Sequence, residues 1–186
     1  MQVKIFNEAR KEVLIAMFKT RRLVLIGLLT ALGLILHIVE GMIPMSAVVP
    51  GARLGLANVV SLLGLVLLGF FAGLQILFLR IILGSLLAGT FMTINFYLSF
   101  SGGLLAYMMM ALLYLGQKER FSIFGVSVFG AVFHNIGQIL IAYIIIGTAG
   151  LFYYLPYLTL LAVPTGLGVG FITCFTADHL PGYSLN

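Results

Sequence analysis

The stretch SIFGVSVFGAVFHNIGQILIAYIII, residues Ser122–Ile146, decides the fold of this chain. It is long enough to cross a bilayer and contains no charged residue, so it predicts a transmembrane helix. Three polar side chains nevertheless lie within it: His134, Asn135 and Gln138. Burying such groups in hydrocarbon is costly unless they contact partners or water. On a helix, His134 and Gln138 lie one turn apart with Asn135 beside them, so we expect this face in the interior of a bundle.

The composition extends this prediction to the whole chain. Of its 186 residues, 62% are hydrophobic and 8% are charged, and the mean hydropathy is +1.19. A soluble domain cannot hide that much apolar surface, so lipid must be the solvent for most of the chain. No basic face with interleaved aromatic residues is present, so nucleic acid is not an expected partner. Cys174 is the only cysteine, which excludes an internal disulfide.

Hydropathy predicts six transmembrane helices in an all-α integral membrane protein. Their predicted bounds are Leu23–Val39, Leu54–Phe70, Ala72–Thr93, Asn95–Leu115, Ser122–Ile146 and Leu151–Ala177. The connection between the second and third helices, Gly69–Gly73, is expected to be very tight. Pro156 and Pro164 predict a kink or a break in the sixth helix.

Basic residues set the expected orientation. Residues 1–21 are rich in them and are predicted to form an amphipathic arm on the cytoplasmic leaflet. The loop that contains Lys118 and Arg120 falls on the same side when the helices are counted. Residues 22–180 are therefore predicted to form a six-helix domain with both ends inside, followed by a cytoplasmic tail, 181–186. The chain is expected to be a multi-pass protein of the cell membrane.

Polar side chains from five helices fall in the outer half of the bundle when depth is counted at about 1.5 Å per residue. Together with the loop Gly41–Ala52 they predict an outward-facing pocket for a small molecule, with the loop as a lid. The predicted lining residues are His37, Glu40, Arg53, Asn58, Asn95, His134, Asn135, Gln138 and Tyr157.

Most of these positions also have a purely structural interpretation. The three polar residues of the fifth helix can bond across helices. His37 and Glu40 can be interfacial, Arg53 can be a surface anchor, and Tyr157 can belong to an aromatic belt. Arg80 lies about 12 Å from the cytoplasmic end of the third helix, where it either snorkels or pairs inside the bundle.

Small residues mark a second surface on the first helix. Gly27 and Ala31 stand at the small-xxx-small spacing that lets another helix approach closely, with Gly33 nearby. A bulky side chain in this pair is expected to block such an approach.

Four strings resemble a single family: PGARLGLANVVSLL (Pro50–Leu63), LRIILGSLLAG (Leu79–Gly89), SGGLLAYMMMALL (Ser101–Leu113) and GAVFHNIGQILIA (Gly130–Ala142). They resemble the Gx transporter family, often labelled "heptaprenyl diphosphate synthase component I", from about Arg22 to the end of the sixth helix. That family is similar to the S components of energy-coupling factor (ECF) transporters. Those are six-helix proteins that capture a vitamin or similar nutrient outside the cell.

The resemblance implies an S-component-like bundle with defined partners. These are an ECF transmembrane scaffold subunit and two cytoplasmic ATPase subunits. The first helix of such proteins usually has an AxxxA docking motif. Its nearest match here is Gly27 and Ala31, with glycine in place of one alanine.

The synthase label fits the acidic residues poorly. Prenyl synthases hold diphosphate and Mg²⁺ with paired aspartates in a DDxxD arrangement. The acids of this chain are isolated: Glu8, Glu12, Glu40, Glu119 and Asp178. No phosphate-binding P-loop is present, and His37, Glu40 and His134 lack the spacing of a metal site. We therefore expect no catalytic residue, metal or cofactor.

Three classes of function remain open at this stage. The first is the substrate-binding subunit of an ECF-type importer. The second is a non-catalytic membrane scaffold in a quinone or flavin electron-transfer assembly outside the cytoplasm. The third is an isoprenoid enzyme, which the isolated acids disfavour, or an accessory subunit of polyprenyl diphosphate synthesis. The sequence does not identify the ligand, because Arg53 and His134 suit an anionic group while the tyrosines suit a flat or apolar body.

Overall fold

The computed structural model describes residues 2–42, 55–117 and 120–180, and helices dominate all three ranges. Six α-helices follow in order: α1 Gln2–Met42, α2 Asn58–Leu68, α3 Phe70–Leu87, α4 Ile94–Gly116, α5 Ile123–Ile146 and α6 Leu155–Asp178. A short 3₁₀ helix, Ala149–Tyr154, precedes α6. Five helical stretches are long and apolar enough to cross a membrane: Ala16–Met42, Phe70–Leu87, Ile94–Gly116, Ile123–Ile146 and Ala149–Asp178. The predicted all-α membrane bundle of six helices is confirmed.

The first helix is longer than the span predicted for it. α1 is a single helix of 41 residues, about 60 Å long, that passes through the predicted boundary between residues 21 and 22. Its buried positions recur every three or four residues, as expected for one helical face. They are Ile26, Thr30, Gly33, His37 and Glu40. The division into an arm and a membrane domain stays a prediction, and the tail 181–186 lies outside the described residues.

The second helix is shorter than the predicted span Leu54–Phe70. α2 has only 11 residues, about 16 Å, which is half of the hydrocarbon core of a bilayer. It begins late because Gly55 has a φ of +78°, which a right-handed helix does not contain, and the N–H of Asn58 closes a turn onto the Gly55 carbonyl at 2.9 Å. α2 contacts all five other α-helices and is almost completely buried, so it forms the centre of the bundle.

The tight connection predicted between the second and third helices is confirmed. Gly69 alone separates α2 from α3, with a φ of +87°. The two helices then approach so closely that a Cβ on Gly64 would lie 2.9 Å from the Cα of Gly73. The Tyr107 hydroxyl of α4 donates to the Phe70 carbonyl at 2.5 Å, which holds the start of α3.

Two other predicted bounds need correction. The third helix was expected to reach Thr93, but α3 ends at Leu87 because Gly89 and Met92 have φ values of 65° and 61°. The sixth was expected to start at Leu151, but α6 starts after the 3₁₀ helix. Pro156 lies in the first turn of α6, where its missing N–H has no helical partner to lose, and Pro164 lies inside the helix. α4 and α5 match their predicted bounds to within about one residue.

α5 lies between α4 and α6. A Cβ on Gly137 would lie 3.0 Å from the Cα of Gly102 in α4, so these backbones are nearly in contact. On the other side, the Ser127 hydroxyl donates to the Gly166 carbonyl of α6 at 2.7 Å. These contacts set the rotation of α5 about its axis and turn its polar residues inward.

Candidate functional site

Arg80, in the middle of α3, is the central charge of the site. Its Nη2 atom donates to Asn58 Oδ1 at 2.7 Å, and its Nε atom donates to Ser61 Oγ at 3.2 Å. The side chain is only 4% exposed. Of the two alternatives stated for Arg80, the structure therefore shows pairing inside the bundle rather than snorkelling to the surface.

Glycines on two neighbouring helices leave room for this arginine. A Cβ on Gly33 of α1 would lie 3.3 Å from Arg80 Cδ, and a Cβ on Gly103 of α4 would lie 3.6 Å from Arg80 Nη2. At these two positions both helices approach the arginine with their backbones. Four helices, α1 to α4, thus surround the Arg80 side chain.

The last turns of α1 bring a carboxylate and an imidazole into the same interior. Glu40 Oε1 accepts a hydrogen bond from the backbone N–H of Gly55, in the turn that precedes α2. The ring of His37 packs against Gly84, one turn after Arg80 on α3, where an added Cβ would meet the ring Cδ2 at 2.9 Å. Both side chains are buried, so the polar face of α1 is turned into the bundle.

α5 contributes a histidine and a glutamine. His134 Nε2 and Gln138 Nε2 are 3.1 Å apart. An amide nitrogen can only donate, so in this amide orientation Gln138 donates and the ring Nε2 of His134 accepts. A Cβ on Gly55 would lie 3.4 Å from His134 Cδ2 and 2.9 Å from Asn58 Nδ2. Gly55 is therefore the point where α1, α2 and α5 meet.

We call this set of side chains the interior polar cluster. It comprises His37, Glu40, Asn58, Ser61, Arg80, His134 and Gln138, all buried. Guanidinium, carboxylate, imidazole, amide and hydroxyl groups lie within one apolar bundle. Such an arrangement offers donors and acceptors to a small polar group.

The structure brings together five of the nine predicted lining residues, namely those that belong to the cluster. Asn135 points elsewhere: its Nδ2 donates to the Leu158 carbonyl of α6 at 2.7 Å. Asn95 is half-buried in the first turn of α4, and Tyr157 is 69% exposed on α6. Arg53 and the loop after Met42 lie outside the described residues. The pocket itself stays a prediction.

Ser61 is the member of the cluster that sequence reasoning missed. It follows Asn58 by three residues, which places both side chains on one face of α2. The sequence contained two signals for Ser61. One is this spacing from Asn58, and the other is Arg80, the only charged residue in the middle of a predicted span.

The small residues of α1 divide into two faces. Gly27 and Ala31 are exposed, and nothing lies within 4 Å of a Cβ added to Gly27. Gly33 is buried, and a Cβ there would lie 2.8 Å from Val60 Cγ2. The pair predicted for docking therefore lies on the outer face, where a partner helix could reach it, and its role stays a prediction.

Metal-binding side chains are not grouped within the described ranges. No set of three or more His, Cys, Asp or Glu residues there is placed to hold a metal ion.

The helices and their polar interior define this chain as a helical membrane protein with a buried hydrophilic centre. The family model described as heptaprenyl diphosphate synthase component I matches residues 29–176, about four-fifths of the chain. The chain belongs to this family. The matched region contains the whole interior polar cluster. No curated protein and no solved structure matches the chain significantly.

Proposed function

We propose that this chain is the membrane-embedded substrate-binding subunit of an ECF-type importer. It would capture a small nutrient, or a precursor related to cofactors or isoprenoids, from outside the cell. The interior polar cluster carries this proposal, because α1, α2, α3 and α5 turn charged and polar side chains to a common buried region.

The energetic cost of the cluster favours a binding role over a purely structural one. Apolar side chains of similar volume would often stabilise a bundle at least as well as buried charges. Ionisable residues inside membrane segments are rare, and they commonly mark the paths or sites of polar solutes. Arg80, Glu40 and two histidines together exceed what is needed to join helices that already pack through glycines.

The chemistry of the cluster favours a ligand with oxygen acceptors. Arg80 supplies guanidinium donors, and the amide and imidazole of Gln138 and His134 lie in the same buried region. Glu40 lies in the last turn of α1 and accepts from Gly55, so the cluster reaches from the middle of α3 to one end of α1. A solute could approach from that end.

A second function is supported by the family's description. A component of heptaprenyl diphosphate synthase implies a partner protein, so the chain could be an accessory, non-catalytic membrane subunit of polyprenyl diphosphate synthesis. The proteins that co-purify separate the two proposals. A scaffold subunit with two ATPases supports the importer, whereas a soluble prenyl synthase supports the accessory subunit.

Native mass spectrometry of the gently purified chain tests the binding role. We expect a bound small molecule in the wild type and weaker binding in Gln138→Leu, by about 1–3 kcal/mol, because a pocket group loses its partner. Tyr143→Leu is the matched control, since it removes a polar group from the exposed side of the same helix. Equal ligand retention by the two folded variants would contradict the site.

A further inference from the structure

A groove with a volume of about 330 Å³ lies between α1 and the end of α2, away from the interior polar cluster. Its lining residues are Phe18, Arg21, Arg22, Leu25, Leu67 and Leu68. The four from α1 follow the spacing i, i+3, i+4 and i+7, so they share one helical face. Two guanidinium groups therefore share a surface with apolar side chains.

The depth of the groove matches a membrane interface. The apolar part of α1 starts at Leu23, immediately after the two arginines. Arg21 and Arg22 are exposed at this boundary, and Leu25 lies one turn deeper. The end of α2 lines the same groove. With the membrane boundary between Arg22 and Leu23, the charged part of the groove would lie at the level of lipid headgroups and the apolar part would face acyl chains.

The structure holds one of the two arginines in position. Arg22 Nη2 donates to the carbonyl of Leu68 at 3.3 Å. Leu68 is the last residue of α2, where carbonyls lose their helical partners. A guanidinium has five N–H donors, so this bond leaves Arg22 further donors for a ligand.

We propose that this groove binds an anionic phospholipid, with its phosphate on Arg21 and Arg22 and an acyl chain along Leu25 and Leu67. Charge complementarity selects this occupant: two arginines attract a phosphate and can bind it in a bidentate manner. Basic pockets between membrane helices are known to bind anionic headgroups. The proposal does not depend on the importer function. A bound lipid would hold α1 against the connection between α2 and α3.

Lipid retention by the full chain tests the proposal. The protein, purified in mild detergent, is mixed with equal amounts of dioleoyl-phosphatidylglycerol and dioleoyl-phosphatidylcholine and analysed by native mass spectrometry. We expect selective retention of phosphatidylglycerol. Affinity should fall about fivefold in Arg21→Ala and about thirtyfold when Arg22→Ala is added, given the usual contribution of one basic residue near an anionic surface. Inorganic phosphate in large excess should not displace the lipid.

Lys19→Ala is the control, because Lys19 is exposed on the same helix but does not line the groove. It should change retention by less than about twofold if the groove, rather than general charge, binds the lipid. Equal retention of both lipids, equal losses in Lys19→Ala and Arg21→Ala, or displacement by phosphate would each overturn the proposal. If the double variant fails to fold, Arg21→Ala decides, since the bond to Leu68 comes from Arg22.

Discussion

Asn58, the first residue of α2, is paired with the buried Arg80 of α3. Its Oδ1 accepts from Arg80 Nη2 at 2.7 Å, while its Nδ2 lies on the side of Gly55, whose N–H binds Glu40. Asn58 thus binds a guanidinium on α3 and packs beside the glycine that binds a carboxylate on α1.

Removing the arginine should destabilise the bundle. Arg80→Ala leaves Asn58 and Ser61 without their donor, and we expect a loss of about 1–3 kcal/mol in the free energy of unfolding. The thermal unfolding midpoint of the detergent-purified protein measures this loss. Arg120→Ala, which removes an exposed arginine, serves as control and should have little effect. Equal midpoints for the two variants would show that the buried contacts do not stabilise the fold.

The two amide side chains of α5, Asn135 and Gln138, should have different roles, one in stability and the other in ligand binding. Asn135→Leu removes the 2.7 Å bond to the Leu158 carbonyl and should lower the free energy of unfolding by about 1 kcal/mol. Gln138→Leu should instead reduce ligand retention, since Gln138 lies beside His134 in the cluster. Thermal unfolding and native mass spectrometry, applied to both variants, separate the effects. The interpretation is wrong if Asn135→Leu loses ligand at unchanged stability.

Alanine substitutions at two glycines of α1 should have different effects on the free energy of unfolding. At Gly33 the new Cβ would lie 2.8 Å from Val60 Cγ2 and 3.3 Å from Arg80 Cδ, so Gly33→Ala should cost about 1–3 kcal/mol by overpacking. At Gly27 nothing lies within 4 Å, and Gly27→Ala should be neutral or slightly stabilising because alanine favours helix. Comparable unfolding midpoints for the two variants would contradict the packing of α1.

A bulky residue on the outer face of α1 should block assembly rather than folding. Ala31 is exposed, so Ala31→Leu should leave the unfolding midpoint unchanged while preventing close approach of a partner helix. Co-purification with the scaffold and ATPase subunits measures assembly. Val24→Leu, at another exposed position of α1, is the size control. Undiminished co-purification of Ala31→Leu would reject the docking role of this face.

Orientation can be tested from two exposed positions at opposite ends of α5. In a Cys174→Ala background, we expect Arg120→Cys to react with an impermeant thiol reagent only after the membrane is opened. Tyr153→Cys, replacing a side chain that is 82% exposed, should react in intact cells. The reverse pattern would invert the topology predicted from the basic residues.

Features set by local geometry were predictable from sequence. His134 and Gln138 are paired because residues four apart on a helix are neighbours whatever surrounds them. The break at Gly69 follows from a glycine with positive φ, and α4 and α5 keep their predicted bounds because each is a long uninterrupted apolar run.

Features set by helix rotation and offset were not predictable. The lining of the pocket was predicted by counting the depth of each residue along its own helix, without regard to helix rotation. The exposed Tyr157 and the buried Asn58 were therefore assigned to the same pocket. Depth counting also left the partner of Arg80 open, because the contact with Ser61 depends on how closely α2 and α3 approach through Gly64 and Gly73. Only the packed bundle determines those distances.

The length of α1 has a mechanical consequence. The helix is packed at Gly33, and Gln2 lies 31 residues earlier in the same unbroken helix, at a distance of about 45 Å. A tilt of about 10° at that contact would carry Gln2 through about 8 Å, by simple rotation of a rod with this rise per residue. A small rearrangement around Arg80 would therefore produce a large displacement of the N-terminal end of α1, far from the centre of the bundle.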